Sequence, residues 1–391
     1  MNFSQDEKRR HLYIVGMTGT GKSTLLKSLM LRDSSFALID PHGDLAEAIA
    51  DTLPPERTIY LNPLDPTHAV GFNPLEHVPV LERSIVTASI VSSFKGIWAD
   101  SWGPRLEYIL GNAIRLLSDN NATLLHIPLV LTDKAYRTSC LRKATDPFNR
   151  YFWEKEFERY PDKFKLEAIA PIQNKIGQLV ANPHLRAILG QPSTLKPDDI
   201  MNGGMILVAN LSKRMGTEPS HLLGALITSA FFQAAERRAT VPESERKDFT
   251  LYVDEFQNFG TDAFAAIFSE ARKWRLSLVV ANQFIGQLPE SLKFAVLGNA
   301  GTLASFRVGS EDASLLTREL GHSNPRILMD LPNHQYWIKR LKDGVPAEPA
   351  LVKTERLSPK GGGLKKVIAA TRARYSRPRK ELEAQFARLY A

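Results

Sequence analysis

The chain has 391 residues, of which 43% are hydrophobic and 24% charged, a composition that is typical of a globular protein with a large core. A single cysteine, Cys140, excludes an internal disulfide framework, and no apolar run approaches the roughly 18 residues of a membrane span. The opening residues MNFSQDEKRR lack the apolar core of a signal peptide, so we expect a cytoplasmic protein.

The first predicted element is a buried strand at residues 12–15, followed by a glycine-rich loop and a helix. The loop and helix start, GMTGTGKS at residues 16–23, match G-x-x-x-x-G-K-S/T, in which backbone amides cradle phosphate. Lys22 can reach the β- and γ-phosphates, and the Ser23 hydroxyl can ligate Mg²⁺. A plain glycine-rich turn is the simpler alternative. The residues predicted to bind ATP are Gly16, Met17, Thr18, Gly19, Thr20, Gly21, Lys22, Ser23 and Thr24.

A second strand is predicted at residues 36–39, and it runs into the sequence DPHGD. Asp40 could reach the same crevice and ligate the metal, because ligands bind beyond the carboxyl ends of parallel strands. Alternatively, Pro41 and Gly43 form a turn in which Asp44 caps the next helix. Both interpretations remain open at this stage. His42 has no second His or Cys at ligand spacing, which argues against a transition-metal site.

Residues 80–200 have helical periodicity throughout and offer no good strand candidate. We therefore predict an all-α insertion there. It divides an α/β domain with a parallel sheet into a first part at residues 1–79 and a second part at residues 201–345.

Four more buried strands are predicted at residues 205–211, 251–256, 276–282 and 302–308. The run 251–256 ends with Asp254, which would hold Mg²⁺, and Glu255, which would deprotonate the attacking water. Without a phosphate loop, such a pair usually marks only a strand entering a helix cap. The strand at 276–282 is followed by Gln283, whose amide could contact the γ-phosphate or stay an ordinary loop amide.

Arg272, Lys273 and Arg275 lie between the strands at 251–256 and 276–282. A solvated helix end is the simpler interpretation, because cations are favoured near a helix C-terminus. The alternative is an arginine finger that enters the nucleotide site of a neighbouring subunit.

Residues 346–391 are predicted to contain a strand that pairs with residues 336–341 as a hairpin, then a glycine linker and a basic tail. The net charge of +8 is concentrated in this tail, since residues 358–391 hold nine Lys or Arg against two acidic residues. The tail could neutralise DNA phosphates or dock on an acidic partner.

Six motifs together resemble the TraG/TraD-like coupling proteins of type IV secretion, which belong to the FtsK–HerA superfamily of DNA pumps. They are HLYIVGMTGTGKSTLL, LIDPHGDLAEAI, GFNPL, SWGPRLEYIL, LYVDEFQNF and EARKWRLSLVVANQF. The resemblance covers roughly residues 10–345. It implies a RecA-like P-loop NTPase with an inserted all-α domain, which hydrolyses ATP with Mg²⁺ and pulls DNA through a hexameric ring. It also implies that Arg272 is a finger acting in trans and that Gln283 senses the γ-phosphate.

Family members typically carry an N-terminal membrane anchor, whereas 15 residues precede Gly16 here. We expect either a trimmed or short form, or attachment to the membrane through secretion-machinery or relaxosome proteins. Two other functions remain open. One is a HerA-like DNA-processing or packaging ATPase, and the other is a substrate receptor in which ATP only gates assembly.

Overall fold

The computed structural model describes residues 3–259, 262–342, 344–355, 357 and 361–389. These residues form two compact units. The first, which we call the sheet unit, comprises residues 1–61, 197–213 and 227–371. The second, the helical unit, comprises residues 62–196, 214–226 and 372–391. In the described part of the chain, no helix combines the length and hydropathy needed to cross a membrane.

The strands, in chain order, are β1 (Leu12–Val15), β2 (Phe36–Asp40), β3 (Thr58–Leu61), β4 (His68–Val70), β5 (Ile206–Asn210), β6 (Phe249–Val253), β7 (Leu276–Asn282), β8 (Thr302–Ser305), β9 (Gln335–Lys342), β10 (Val345–Pro346), β11 (Ala350–Lys353) and β12 (Ser376–Pro378). The large sheet has the order β10-β9-β8-β1-β7-β6-β2-β5-β3, and β11 also pairs with β9. From β8 to β3 neighbouring strands are parallel, whereas β9 is antiparallel to β8, β10 and β11. The helical unit contains a separate antiparallel pair, β4 and β12.

The helices are α1 (Gln5–Arg9), α2 (Lys22–Met30), α3 (Asp44–Ala50), α4 (Arg83–Ile97), α5 (Pro104–Asp119), α6 (Ile127–Thr132), α7 (Lys134–Leu141), α8 (Pro147–Tyr151), α9 (Asp162–Ala181), α10 (Pro183–Leu189), α11 (Pro197–Gly203), α12 (Thr217–Arg237), α13 (Asp262–Glu270), α14 (Glu290–Asn299), α15 (Ser310–Glu319), α16 (Arg326–Met329), α17 (Leu364–Tyr375) and α18 (Arg379–Leu389). Strands β1, β2, β5, β6 and β7 are buried along their whole length, as expected for parallel strands covered by helices on both faces. The core of the sheet unit includes Leu26, Phe36, Ile49, Val208 and Val279.

The predicted fold class is confirmed, because all six predicted parallel strands are present and residues 80–200 contain helices and no strand. Two strands end three residues earlier than predicted. Strand β6 ends at Val253, so Asp254 and Glu255 follow the strand, and β8 ends at Ser305. Strand β3, with the sequence TIYL, was not predicted from the sequence.

The C-terminal segment is packed within both units, although its sequence suggests a linker and a tail. Residues 358–360 of the predicted linker lie outside the described residues. In the sheet unit, the Asp51 carboxylate accepts hydrogen bonds from the amides of Gly362 (2.8 Å) and Leu364 (3.0 Å). In the helical unit, Phe386 of α18 is buried in an apolar cluster, and the Arg372 guanidinium donates two hydrogen bonds to the Asp65 carboxylate. At least one tail arginine is therefore already paired within the chain.

Candidate nucleotide site

Residues 16–21 form the loop that joins β1 to α2, as the sequence motif predicts. The loop is tightly surrounded, since a Cβ atom on Gly16 would lie only 2.5 Å from the Cβ of Phe306. Gly21, which precedes α2, has φ of 118°, a left-handed conformation that favours glycine. The glycines of the motif are thus required by close packing and by backbone conformation.

The Lys22 side chain is 7% exposed, and it lies inside the loop. Its ammonium donates hydrogen bonds to the carbonyl oxygens of Gly16 (2.5 Å) and Met17 (3.2 Å). Burial lowers the pKa of Lys22, while the nearby carboxyl groups of Glu255 and Asp254 act to raise it. A cationic group is therefore held where the loop would enclose an anion.

The loop itself offers donors to an anion. Within the described part of the chain, the amides of Thr18, Gly19 and Gly21 donate to no backbone carbonyl. The positive end of the α2 dipole adds to this field, and Ser23 on the first turn of α2 is exposed. Amide donors, an ammonium group and a hydroxyl fit the phosphates of a nucleotide and a Mg²⁺ ion.

The sheet order brings the other predicted catalytic residues to the same edge. Strand β7 lies between β1 and β6, so Gln283 after β7 is flanked by the phosphate loop and by Glu255 after β6. The Gln283 side-chain amide donates a hydrogen bond of 3.1 Å to Glu255 Oε1, and Gln257 donates one of 2.6 Å to Oε2. Glu255 is 6% exposed and has φ of 47°, a left-handed conformation that is uncommon outside glycine. The structure thus fixes both oxygens of this carboxylate.

Asp254 is a buried carboxyl group beside other acids. Burial, followed by the charges of Asp40 and Glu255, raises the pKa of Asp254 to about 7, while the Glu255 amide and Lys22 act to lower it. A carboxylate whose charge is so poorly compensated is a suitable Mg²⁺ ligand, because the ion would supply the missing positive charge. No group of three or more His, Cys, Asp or Glu side chains that could hold a metal occurs among the described residues. Mg²⁺ at a nucleotide needs only one or two protein carboxylates.

The raised pKa predicts that Asp254 destabilises the nucleotide-free protein above neutrality. Between pH 3.8 and about 7 the unfolded chain loses a proton that the folded chain retains, so stability falls as the pH rises. Each pKa unit corresponds to about 1.4 kcal/mol, so Asp254→Asn should raise the free energy of unfolding at about pH 8 by about 2–4 kcal/mol. The gain should be smaller at about pH 5. Denaturant unfolding without nucleotide measures both values.

Asp44→Asn is the matched control, because Asp44 is an exposed carboxylate on the first turn of α3. The Asp44→Asn variant should lose only a fraction of a kcal/mol of helix-dipole stabilisation. This loss in the free energy of unfolding should be similar at about pH 5 and about pH 8. An Asp254→Asn protein that is no more stable than the parent at about pH 8 would contradict the assignment.

Asp40 is completely buried, and both of its carboxylate oxygens are hydrogen-bonded to the backbone. Oδ1 accepts from the His42 amide and Oδ2 from the Ala46 amide, each at 2.8 Å. These bonds support the interpretation that residues 40–43 form a turn. Asp40, rather than Asp44, accepts the hydrogen bond from an amide in the first turn of α3, that of Ala46. Direct coordination of Mg²⁺ by Asp40 stays a prediction.

Arg272 lies at the opposite end of the sheet from the phosphate loop. It sits in a short 3₁₀ turn before β7, whereas Gln283 follows β7, and the seven residues of β7 span about 23 Å. The Arg272 side chain is 49% exposed and lies 3.5 Å from the Asp6 carboxylate. The arginine is therefore remote from the site of its own chain, and any contact with a nucleotide has to be made in a second copy.

Sequence reasoning missed two residues that contact the phosphate loop from its other side. The Arg307 carbonyl accepts a hydrogen bond from the Met17 amide (2.8 Å), and the His334 amide donates one to the Thr20 carbonyl (2.6 Å). Neither residue belongs to a local motif, and His334 is more than 300 positions away from the loop. Only the pairing of β8 with β1 and β9 brings them there.

Comparison with known proteins gives one family and a group of solved structures. Residues 1–135 match the family model of the type IV secretion-system coupling protein DNA-binding domain. The bacterial conjugative coupling protein TrwBdeltaN70, in its unbound form, is similar in structure with a TM-score of 0.65 and 18% identity, over 91% of this chain and 87% of that chain. No curated protein sequence matches the chain.

Two further structures show the same likeness. TrwB in complex with ADP and Mg²⁺ has a TM-score of 0.65 and 18% identity, over 92% of this chain and 88% of that chain. VirB4 of Thermoanaerobacter pseudethanolicus has a TM-score of 0.58 and 16% identity, over 89% of this chain and 90% of that chain. The chain therefore has the fold of these proteins. The family match over residues 1–135 confirms the resemblance to coupling proteins drawn from its motifs.

Proposed function

We propose that this chain is the ATP-hydrolysing motor of a coupling protein that moves DNA during conjugative transfer by type IV secretion. The observation that carries the proposal is the assembly of Lys22, Glu255 and Gln283 at one edge of the sheet, with Glu255 held by two side-chain amides. The match of residues 1–135 to a coupling protein DNA-binding domain supports DNA as the partner. The complex of the similar protein TrwB with ADP and Mg²⁺ supports ATP and Mg²⁺ as ligands.

Each residue of the site then has a chemical task. The loop amides and the Lys22 ammonium bind the phosphates, and Glu255 orients a water molecule and takes its proton as the oxygen attacks the γ-phosphorus. The bond from the γ-phosphorus to ADP breaks, which releases ADP and phosphate. Gln283 holds Glu255 in place and is positioned to sense the γ-phosphate. Asp254 and Ser23 would hold Mg²⁺, which neutralises charge on the phosphate oxygens when it is bound.

The position of Arg272 supports assembly of several copies. We propose that Arg272 of one subunit completes the site of its neighbour, in a ring that is hexameric and encloses DNA. Such a ring would dock on secretion-machinery or relaxosome proteins, and any contact with the membrane would be made through them. The exposure of Arg272 and its distance from its own phosphate loop support this arrangement.

ATP turnover measured with and without DNA, together with the native mass, tests the proposal. We expect a hexamer whose ATPase rate rises several-fold on addition of DNA. An ATPase that neither binds nor responds to DNA would indicate a substrate receptor gated by ATP. A DNA-stimulated ATPase that cannot restore plasmid transfer to a strain lacking its own coupling protein would indicate a HerA-like DNA-processing enzyme.

A further inference from the structure

The phosphate loop is held from the side that faces away from Asp254 and Glu255. On that side β1 pairs with β8, and the chain leaves β8 toward Arg307, whose carbonyl accepts the hydrogen bond from the Met17 amide. Residues 331–334 then approach the loop just before β9, where the His334 amide donates to the Thr20 carbonyl. We call Arg307 together with residues 331–334 the brace.

His334 contacts the loop through its ring as well as through its backbone. A Cβ atom on Gly21 would lie 2.8 Å from His334 Nδ1 and 3.2 Å from His334 Cα. The imidazole therefore packs directly against Gly21, which precedes α2 and whose amide is one of the donors offered to an anion. His334 itself has φ of 65°, so a non-glycine residue is kept in a left-handed conformation at this contact.

The brace is itself fixed on both sides. The Arg307 guanidinium donates hydrogen bonds to the Leu331 carbonyl (3.2 Å) and to Asn333 Oδ1 (3.0 Å). The Thr354 amide, which follows β11, donates to the His334 carbonyl at 2.7 Å. His334 is thus anchored to the sheet through β8 and β11, and it can transmit that rigidity to the loop.

We propose that His334 is a positioning residue whose imidazole, packed against Gly21, holds the phosphate loop in its nucleotide-binding conformation. The inference rests on the proposed role of this loop and adds a residue that its sequence motif does not contain. Gly21 has access to many backbone conformations, so an unsupported loop would spend only part of its time in the conformation whose amides converge. If that fraction falls to about one tenth, the apparent affinity for nucleotide falls about tenfold.

His334→Gly is the decisive variant, because glycine keeps the amide donor and adopts the left-handed conformation without strain. It removes the imidazole together with the Cβ, and His334→Asn controls for the added backbone freedom. Titration with a fluorescent ADP derivative and with a non-hydrolysable ATP analogue should show about tenfold weaker binding, with kcat at saturating ATP changed much less than KM. His334→Asn should recover part of the affinity, since asparagine tolerates this conformation and its planar amide fills part of the space.

His77→Gly is the matched control, because His77 also has a left-handed φ, of 53°, but is an exposed residue of the helical unit. It should bind nucleotide as the parent does. Nucleotide binding by His334→Gly at the parent affinity would overturn the proposal and leave only a backbone role for His334. The thermal midpoint without nucleotide distinguishes loop positioning from general destabilisation. If the affinity falls only in proportion to the fraction of unfolded protein, the proposal is also overturned.

Failure of the proposed function gives a different result. If the parent protein binds nucleotide but its turnover is independent of DNA, the motor assignment is wrong, while the effect of His334 on nucleotide affinity is still measurable. If the parent binds nucleotide and His334→Gly binds it equally well, only the present inference fails.

Discussion

Alanine in place of Lys22 is expected to reduce ATP hydrolysis by about a thousandfold or more, because the variant lacks the cation that stabilises charge on the transferring phosphoryl group. Lys22 is buried, and its ammonium already lies among the loop carbonyls, so a neighbouring side chain cannot readily replace it. Phosphate release at saturating ATP and Mg²⁺ measures the effect. The fold should be retained, which the thermal midpoint without nucleotide checks.

Two further variants make this result specific. Lys27→Ala removes a half-buried lysine from the same helix, α2, and should leave turnover close to that of the parent. Glu255→Gln should bind ATP but hydrolyse it very slowly, because the attacking water loses its base. Parent-like hydrolysis by either Lys22→Ala or Glu255→Gln would show that the catalytic site lies elsewhere.

Mixing two inactive variants is expected to restore activity that neither shows alone. Arg272→Ala should bind ATP nearly normally but lose about 10³–10⁵ in rate, the contribution typical of an arginine finger. In a ring that also contains Lys22→Ala subunits, some interfaces pair the intact loop of one variant with the intact arginine of the other. ATP turnover as a function of mixing ratio measures this rescue.

The test requires that subunits exchange between rings. The native mass of rings formed from differently tagged chains verifies this exchange. Lys273→Ala is the matched control for the arginine, because Lys273 is an adjacent exposed cation that pairs with Glu270 within its own chain. That variant should be active without mixing. If mixed rings form and turnover does not recover, the trans role is wrong, and Arg272 is a solvated residue paired with Asp6.

The parts of the site that follow from local sequence were predictable. The phosphate loop is one continuous motif, and Asp254 and Gln283 each follow a strong apolar strand. Their assembly required one additional rule, that the carboxyl ends of parallel strands lie at one edge of a sheet. For Arg272, helix electrostatics alone favoured a solvated helix end, whereas the family resemblance implied a finger acting in trans. The structure adds that it lies beyond the amino end of β7, which separates it from its own site.

The remaining features depend on tertiary contacts that no local pattern encodes. His334 reaches Gly21 only because β9 is antiparallel to β8, and its own neighbours, LPNHQYW, resemble an ordinary strand entry. The role of Asp40 stayed open because a carboxylate after a strand suits a metal and a backbone turn equally well. The basic C-terminal segment looked like a solvated tail because the apolar face of α18, which includes Leu382 and Phe386, is sparse and lies among many charges.

The separation of Arg272 from the phosphate loop would also give the proposed assembly a direction. The surface that offers the arginine would differ from the surface that receives it, so contacts between copies would be head-to-tail and would close into a ring only if the rotation between neighbours permits it. In such a ring each subunit depends on the neighbour on one side and influences the neighbour on the other. ATP hydrolysis in one subunit can then affect the next subunit, and this effect can travel around the ring in one direction only.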